Sequence, residues 1–188
     1  MASRTPARAI TDALNPFVVF TALFLAVALT GSPLPRALLY TGFELLAAAA
    51  VAGYVLLMRR RSRVGDFWIS ARAERLAPGL FLISAFVALL ALLFLLGSPT
   101  SLLLLTLSMG LASAAVALLT LFFKASAHCT VAGHGAAAGL LLLGPLGTIF
   151  LLALPLVIWS RVALGAHTVP ETLAGAAAGA GFAVLFLT

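Results

Sequence analysis

Residues 78–97 read PGLFLISAFVALLALLFLLG, and after a short turn residues 100–123 read TSLLLLTLSMGLASAAVALLTLFF. Both runs are continuously apolar rather than alternating, and both are rich in Leu and Ala, which favours helix over strand. About 20 apolar residues in a helix are enough to cross the hydrocarbon core of a bilayer. The two runs therefore predict two membrane-spanning helices joined by a tight turn at Gly97-Ser98-Pro99.

Similar runs occupy most of the remaining chain. Between His128 and Ser160 the apolar run is interrupted by Gly144-Pro145-Leu146-Gly147. This stretch is too long for one straight span and short for two, so it predicts two short helices packed inside a bundle. The sequence thus predicts an all-α, polytopic transmembrane helical bundle of about six to seven membrane segments, two of them short. The expected segments are 16–32, 36–58, 78–97, 100–123, 130–143, 147–159 and 169–188.

The composition supports a membrane protein. Of the 188 residues, 63% are apolar and only 9% are charged, whereas a soluble domain carries about 25% charged residues. So few charges cannot coat a water-facing surface. This argues against soluble enzymes and nucleic-acid-binding modules, and no nucleic-acid partner is expected. The single cysteine, Cys129, excludes an internal disulfide.

The charged residues fall on one side of the predicted segments. Counting the segments in order assigns nearly every charge to the same membrane face, while the opposite face carries little beyond Arg36. Because basic residues are enriched in cytoplasmic loops, this face is expected to be cytoplasmic, in a prokaryotic inner membrane. We expect one integral membrane domain over residues 1–188. It divides into two N-terminal spans (1–58), a basic loop (59–77) and core helices (78–188).

Two predicted helices contain the same small-residue pattern. Gly135 and Gly139 form one GxxxG pair, Gly175 and Gly179 form another, and each follows a histidine. GxxxG allows helix backbones to approach closely in lipid. The pattern predicts two tightly packed helices with histidines at their starts, although the same glycines would also serve an oligomer.

Three polar segments lie on the charged face and form a candidate site. The last one holds Arg161, His167 and Glu171. If a helix begins near His167, Glu171 at i+4 lies beside it, so a carboxylate can fix the imidazole tautomer and leave the other nitrogen free to attack. Arg161 offers a fork that matches phosphate oxygens.

The other two segments would complete an anion site. Lys124-Ala125-Ser126-Ala127-His128 brings a hydroxyl, a backbone amide at a helix start and a second imidazole. Arg72 and Arg75 lie one turn apart just before the third span. A bound phosphate group is the expected ligand.

Together these segments resemble the type 2 phosphatidic acid phosphatase superfamily, which includes the vanadium haloperoxidases. Ser160-Arg161, five residues, His167, three residues and Glu171 is similar to the third signature, SR-x5-H-x3-D. Ala125-Ser126-Ala127-His128 is similar to the second, PSGH. The segment Arg72 to Pro78 resembles the first, K-x6-RP, without its lysine, so Arg72 and Arg75 are alternatives for its arginine.

The resemblance implies a membrane lipid phosphatase with the helical core of that superfamily, and no metal or other cofactor. His167 would attack phosphorus, Glu171 would orient it, and His128 would protonate the leaving oxygen. The substrate would be a polyprenyl diphosphate, phosphatidate or phosphatidylglycerol phosphate held in the bilayer. The implied phosphate-binding residues are Arg161, Arg72, Arg75, Lys124, Ser126 and Ala127.

Two alternatives stay open on the sequence alone. The chain could be a non-catalytic member that transports or binds a lipid phosphate, which the altered second signature and the missing lysine favour. A haem-binding bundle using His128 with His134 or His167 explains fewer residues, because it leaves Arg161 and Glu171 without a role.

Glu44, inside a predicted span, is expected to be protonated or paired, with a role in substrate or proton handling as the alternative.

Overall fold

The computed structural model describes residues 4–69, 71–120 and 122–188. It is mainly helical, and its longest connection is the loop over residues 61–75, which contains a 3-10 turn at Arg72–Glu74. Each segment expected from the sequence has a corresponding helix, with ends that differ by a few residues. Strands are absent from the described residues. The helices are α1 (Arg4–Ala13), α2 (Pro16–Gly31), α3 (Leu34–Arg60), α4 (Leu76–Leu95), α5 (Thr100–Leu119), α6 (Ala127–Leu143), α7 (Thr148–Ala163) and α8 (Val169–Leu187).

The helix boundaries follow from local chemistry. Asn15 caps α2, since its side-chain oxygen accepts hydrogen bonds from the Phe17 and Val18 amides. Pro33 and Pro99 immediately precede α3 and α5, where the missing N–H costs no helical bond. At the end of α4, Gly97 takes a left-handed conformation (φ 64°) that reverses the chain toward α5.

Five helical stretches are long and apolar enough to cross a membrane, which identifies an integral membrane protein. One of them runs from Ala127 to Ala163 and contains both α6 and α7, joined by a 3-10 turn at Gly144–Gly147. A sixth results if α1 and α2, which meet at 43°, are counted together. The other stretches are α3, α4, α5 and α8.

The first helix was not expected from the sequence. α1 spans ten residues and is polar on one side, so it lacks the long apolar run that identified the other helices. It packs against α7, where the Thr11 hydroxyl donates a hydrogen bond to the Ser160 hydroxyl (3.0 Å). α1 therefore supports the helix that carries Arg161.

The helices enclose a core that continues across the bundle. Phe24 of α2, Leu93 of α4, and Leu102 and Leu105 of α5 are fully buried. Many leucines on the outer faces are exposed instead, as expected for helices that contact lipid tails.

The closest helix contact joins α6 and α8. A Cβ added at Gly179 would lie 1.9 Å from the Thr130 carbonyl oxygen, and one at Gly175 would lie 2.5 Å from the Ser126 carbonyl oxygen. From the other side, a Cβ at Gly133 would lie 2.2 Å from the Ala176 carbonyl oxygen. Only glycine permits backbones to approach this closely.

The two GxxxG pairs lie in different helix contacts. Gly175 and Gly179 do pack against α6, but the α6 residue in this contact is Gly133. Gly135 and Gly139 lie against Phe150 of α7, with Gly135 also near α2. The expected close packing of the two histidine-bearing helices is found, with a different glycine on one side.

Candidate functional site

The three polar segments meet at one end of the bundle, held together by backbone contacts. The Ser126 amide donates a hydrogen bond to the Glu171 carbonyl oxygen (3.1 Å), which joins the start of α6 to the first turn of α8. The Lys124 ammonium donates to the Ala166 carbonyl oxygen (3.0 Å) in the α7–α8 connection. Residues 40 and more positions apart thus form one site.

The α7–α8 connection fixes His167 beside Arg161. After α7 the chain turns through Gly165 (φ 67°), and the Ala166 and His167 amides donate to the Arg161 carbonyl oxygen (3.1 and 3.3 Å). This is a common way to end a helix, since it satisfies a terminal carbonyl. As a result the imidazole and the guanidinium come from a single tight turn.

His167 and Glu171 form the pair expected from their i, i+4 spacing. The Nδ1 atom of His167 lies 3.1 Å from Oε2 of Glu171, and the same oxygen accepts the Thr168 amide in a capping box (3.0 Å). Because an ionised carboxylate can only accept, Nδ1 carries the proton and Nε2 keeps its lone pair. His167 therefore has one nitrogen oriented by the protein and one available for chemistry.

The surroundings of His167 favour its neutral form. Burial, followed by the nearby Arg161 guanidinium, lowers the pKa of His167 below its ordinary value of 6.5. The hydrogen bond that His167 donates to Glu171 opposes this shift but does not reverse it. A neutral imidazole is the form that can act as a nucleophile or base.

His128, in the first turn of α6, lies deeper. Its side chain is 6% exposed, and its ring meets the Trp68 ring edge-on with centroids 4.5 Å apart. Within the described part of the chain, Nε2 of His128 has no hydrogen-bond partner. A buried imidazole nitrogen left this way is costly unless a ligand satisfies it.

Arg161 presents a second unsatisfied group. It is buried, and its Nε atom has no partner among the described residues. A buried guanidinium nitrogen without an acceptor is unfavourable, and an anion is the partner that best compensates it. Arg161 and His128 therefore both lack the partner that a bound anion would provide.

A second arginine, Arg75, lines the same end of the site. Arg75 donates from Nε to the Ile69 carbonyl oxygen (2.9 Å) and from Nη1 to the Ala125 carbonyl oxygen (3.5 Å). Burial lowers the pKa of the Arg75 guanidinium. The side chain of Arg72 lies outside the described residues. Of the two arginines that are alternatives for the first signature, the structure therefore places only Arg75 at the site.

The residues of the segment from Lys124 to His128 have different roles. Ser126 is the N-cap of α6 and its hydroxyl accepts the Cys129 amide (3.4 Å), so that hydroxyl already serves the helix. Ala127 begins the helix, where the first amides have no intrahelical acceptor, and it lines the cavity described next. Ala125, Ala127 and His128 line that cavity, and Ser126 is not among its lining residues.

A cavity of about 270 Å³ opens between these groups. Its wall includes both histidines of the site and three cations, and it continues away from them between α2, α3, α4 and α5, where the lining is mainly apolar. The polar end is lined by Arg75, Lys124, Ala127, His128, Arg161 and His167.

Sequence reasoning missed the aromatic wall of this cavity. Trp68 contacts His128, and Phe17 of α2 lies 6.3 Å from Trp68 between ring centroids. Trp68 is 60 positions from His128 in the chain, and no motif links the two. Its position two residues after Asp66, whose side chain accepts the Trp68 amide (2.9 Å), is a turn signal that was available.

The structure gives less support to His134 as a ligand and to a metal site. His134 is fully buried and its Nε2 atom lies 2.8 Å from the Ser108 hydroxyl, so the ring serves the α5–α6 contact. Among the residues that the structure describes, no three His, Cys, Asp or Glu side chains lie together as a metal site.

No family model matches the chain, and neither curated proteins nor solved structures include one that is significantly similar to it.

Proposed function

We propose that this membrane protein is a lipid phosphate phosphatase that forms a phosphohistidine and needs no metal ion. The observation that carries the proposal is a single cavity lined by His167, bound to Glu171, and by His128 and Arg161, whose buried nitrogens have no partner within the described residues. A phosphate group would satisfy both nitrogens. The sequence resemblance to the type 2 phosphatidic acid phosphatase superfamily, including its helical core, is part of the same proposal.

In the first step, Nε2 of His167 attacks phosphorus and the bond from phosphorus to the lipid oxygen breaks. His128 gives its proton to the departing oxygen, so the lipid leaves as an alcohol, or as a monophosphate if the substrate is a diphosphate. Glu171 keeps the imidazole oriented and stabilises its positive charge. Arg161 and Arg75 face the phosphate oxygens, where negative charge is concentrated in the transition state.

In the second step, His128 removes a proton from water, and the resulting hydroxide attacks phosphorus. The bond between phosphorus and His167 breaks, which releases inorganic phosphate and restores neutral His167. The apolar part of the cavity suits a substrate whose hydrocarbon chain stays out of water. By the distribution of basic residues, we infer that the site opens on the cytoplasmic side of a prokaryotic inner membrane.

The direct test is phosphate release from a panel of lipid phosphates by the purified protein in detergent. We expect H167A to reduce turnover to the background rate, because the nucleophile is removed. H134Q is the matched control, since His134 lies outside the cavity and glutamine can still bond Ser108. Vanadate should inhibit and EDTA should not. Turnover by H167A near the wild-type rate would overturn the catalytic assignment.

A second candidate is a protein that binds or transports a lipid phosphate without hydrolysing it. Two observations favour it: the Lys124 ammonium is already bonded to Ala166, and the Ser126 hydroxyl is used as a helix cap. Saturable binding of vanadate with no phosphate release from any lipid would support this function over the first.

A further inference from the structure

The apolar part of the cavity contains one acidic side chain that the proposed mechanism does not use. Glu44 lies within α3, is 4% exposed and lines the cavity. It is the only carboxyl group among the described lining residues. Placing a carboxyl group inside a membrane-spanning helix is costly, so a position of this kind indicates a functional role.

The hydrogen bonds of Glu44 leave part of the hydrogen-bonding capacity of its carboxyl group unused. Both carboxyl oxygens lie within reach of one donor, the Thr21 hydroxyl of α2 (2.9 and 3.1 Å). That hydroxyl has a single proton, whereas a carboxyl group, ionised or protonated, keeps several lone pairs that can accept further hydrogen bonds. The side chain is thus held in place by α2 and can still accept a hydrogen bond from a group in the cavity.

Packing contacts locate Glu44 relative to the phosphate site. His128 touches Trp68, and Trp68 lies next to Phe17. Thr21 follows Phe17 by four residues on α2, which is about one turn, or about 6 Å along the helix axis. Glu44 therefore lies about one helical turn below the aromatic layer that borders the phosphate end.

The rest of this part of the cavity is suited to hydrocarbon. On α3 the lining residues Glu44, Ala47, Ala48, Val51 and Val55 follow helical spacing along one face. Apart from Glu44 this face presents only aliphatic groups, and its two alanines leave room for a chain. The cavity thus offers a site for phosphate at one end, an apolar region for a hydrocarbon chain at the other, and the acceptor Glu44 between them. The matching ligand is an amphiphile that carries a hydrogen-bond donor between its phosphate and its chain.

We propose that Glu44, held by Thr21, is a specificity-determining residue that accepts a hydrogen bond from a hydroxyl group lying between the phosphate and the hydrocarbon chain of the substrate. This inference rests on the proposed function and narrows its substrate class. It favours glycerol-based lipid phosphates with a free hydroxyl over isoprenoid phosphates, whose chains carry no such donor.

The test compares three ligands: an oleoyl lysophosphatidate, its 2-deoxy analogue with the same chain, and farnesyl phosphate. For the wild-type protein, we expect kcat/KM for phosphate release to be about tenfold higher with the free hydroxyl than with the 2-deoxy analogue, which is the usual size of the effect of one buried hydrogen bond. E44L should bring this ratio close to one. E44Q, which keeps an acceptor oxygen, should retain part of the preference.

A49L is the matched control, because Ala49 lies on the exposed face of the same helix, and its ratio should equal that of the wild type. Equal ratios in the wild type, E44Q and E44L would overturn the inference while leaving the phosphatase proposal intact.

If the wild type releases phosphate from none of the ligands, the proposed function fails, and binding decides the inference. The readout is Trp68 fluorescence in a W159F background, where Trp68 is the only tryptophan. A preference for the hydroxylated ligand that disappears in E44L would support the subsite. No difference between the ligands would overturn it.

Discussion

At the scale of single residues, the two imidazoles of the site occupy different surroundings. His167 is hydrogen-bonded to Glu171, while His128 packs against Trp68 with Nε2 unpartnered in the described residues. This asymmetry suits His167 as the nucleophile, because only its ring is oriented by a carboxylate. The difference comes from their neighbours, since the residue type is the same.

The pKa of His167 leads to a prediction about pH. Because burial and Arg161 lower this pKa, His167 stays neutral as the pH falls through 6.5, and the acid side of the kcat/KM profile should fall to half only below that value. A profile that has already lost half its activity at or above pH 6.5 would contradict the assignment of His167 as the nucleophile.

Replacing Glu171 should change both the pH profile and the rate of the reaction. E171Q removes a carboxylate that raises the pKa of His167, so the acid limb should move to still lower pH. The rate at the optimum should also fall by about a hundredfold or more, because the imidazole loses its orienting partner. Both effects can be measured in one pH series, with thermal unfolding as the check that the variant is folded. A limb that moves to higher pH would contradict the role of Glu171.

The sequence predicts contacts between nearby residues of the site better than contacts between distant ones. The His167–Glu171 pair follows from i, i+4 spacing, and Arg161 precedes it on the same turn. The contact between His128 and Trp68 depends on how the α3–α4 loop folds over α6, which no local pattern encodes. Ser126 shows a third case, because a serine before a helix is a cap by general rule, and its hydroxyl has that role here.

At the scale of helices, the α6–α8 contact sets the geometry of the site. Both histidines of the site lie at or just before the starts of these two helices, and glycines bring the helix backbones into direct contact. The GxxxG pattern in α8 predicted its own close packing. It could not identify Gly133 as the partner on α6, because which glycine faces which neighbour depends on helix rotation and crossing angle.

The glycines of α8 offer a matched pair of variants. G179A places a methyl group against the Thr130 carbonyl and should destabilise the protein by about 1–3 kcal/mol while moving α8 away from α6. G181A, two residues further along the same helix, meets no atom within 4 Å and should be neutral or slightly stabilising. Thermal unfolding in detergent measures both. Equal melting temperatures for the two variants would show that the α6–α8 contact is looser than described.

At the scale of the whole molecule, charge is separated between the two ends of the bundle. The apolar runs and this separation were enough to predict the helices, their order and their shared polar end. α1 was missed because ten residues with a polar face carry no membrane signal, and its position depends on Thr11 meeting Ser160.

The orientation in the membrane can be tested by labelling single cysteines. In a C129A background, we expect R61C, at the basic end, to react with a membrane-impermeant maleimide only after the cells are permeabilised. L146C lies in the exposed turn after α6, at the opposite end, and should react in intact cells. The reverse pattern would place the basic end outside and contradict the positive-inside assignment.

The cavity draws its reacting groups and its apolar walls from different parts of the chain. Both imidazoles and Arg161 come from α6, α7 and the turn before α8, whereas α2 to α5 surround the hydrocarbon region. Under the proposed function, mutations that change the size or shape of this apolar region can therefore accumulate without disturbing the polar site. A lineage with this architecture could then exchange one lipid substrate for another while the reaction stayed the same.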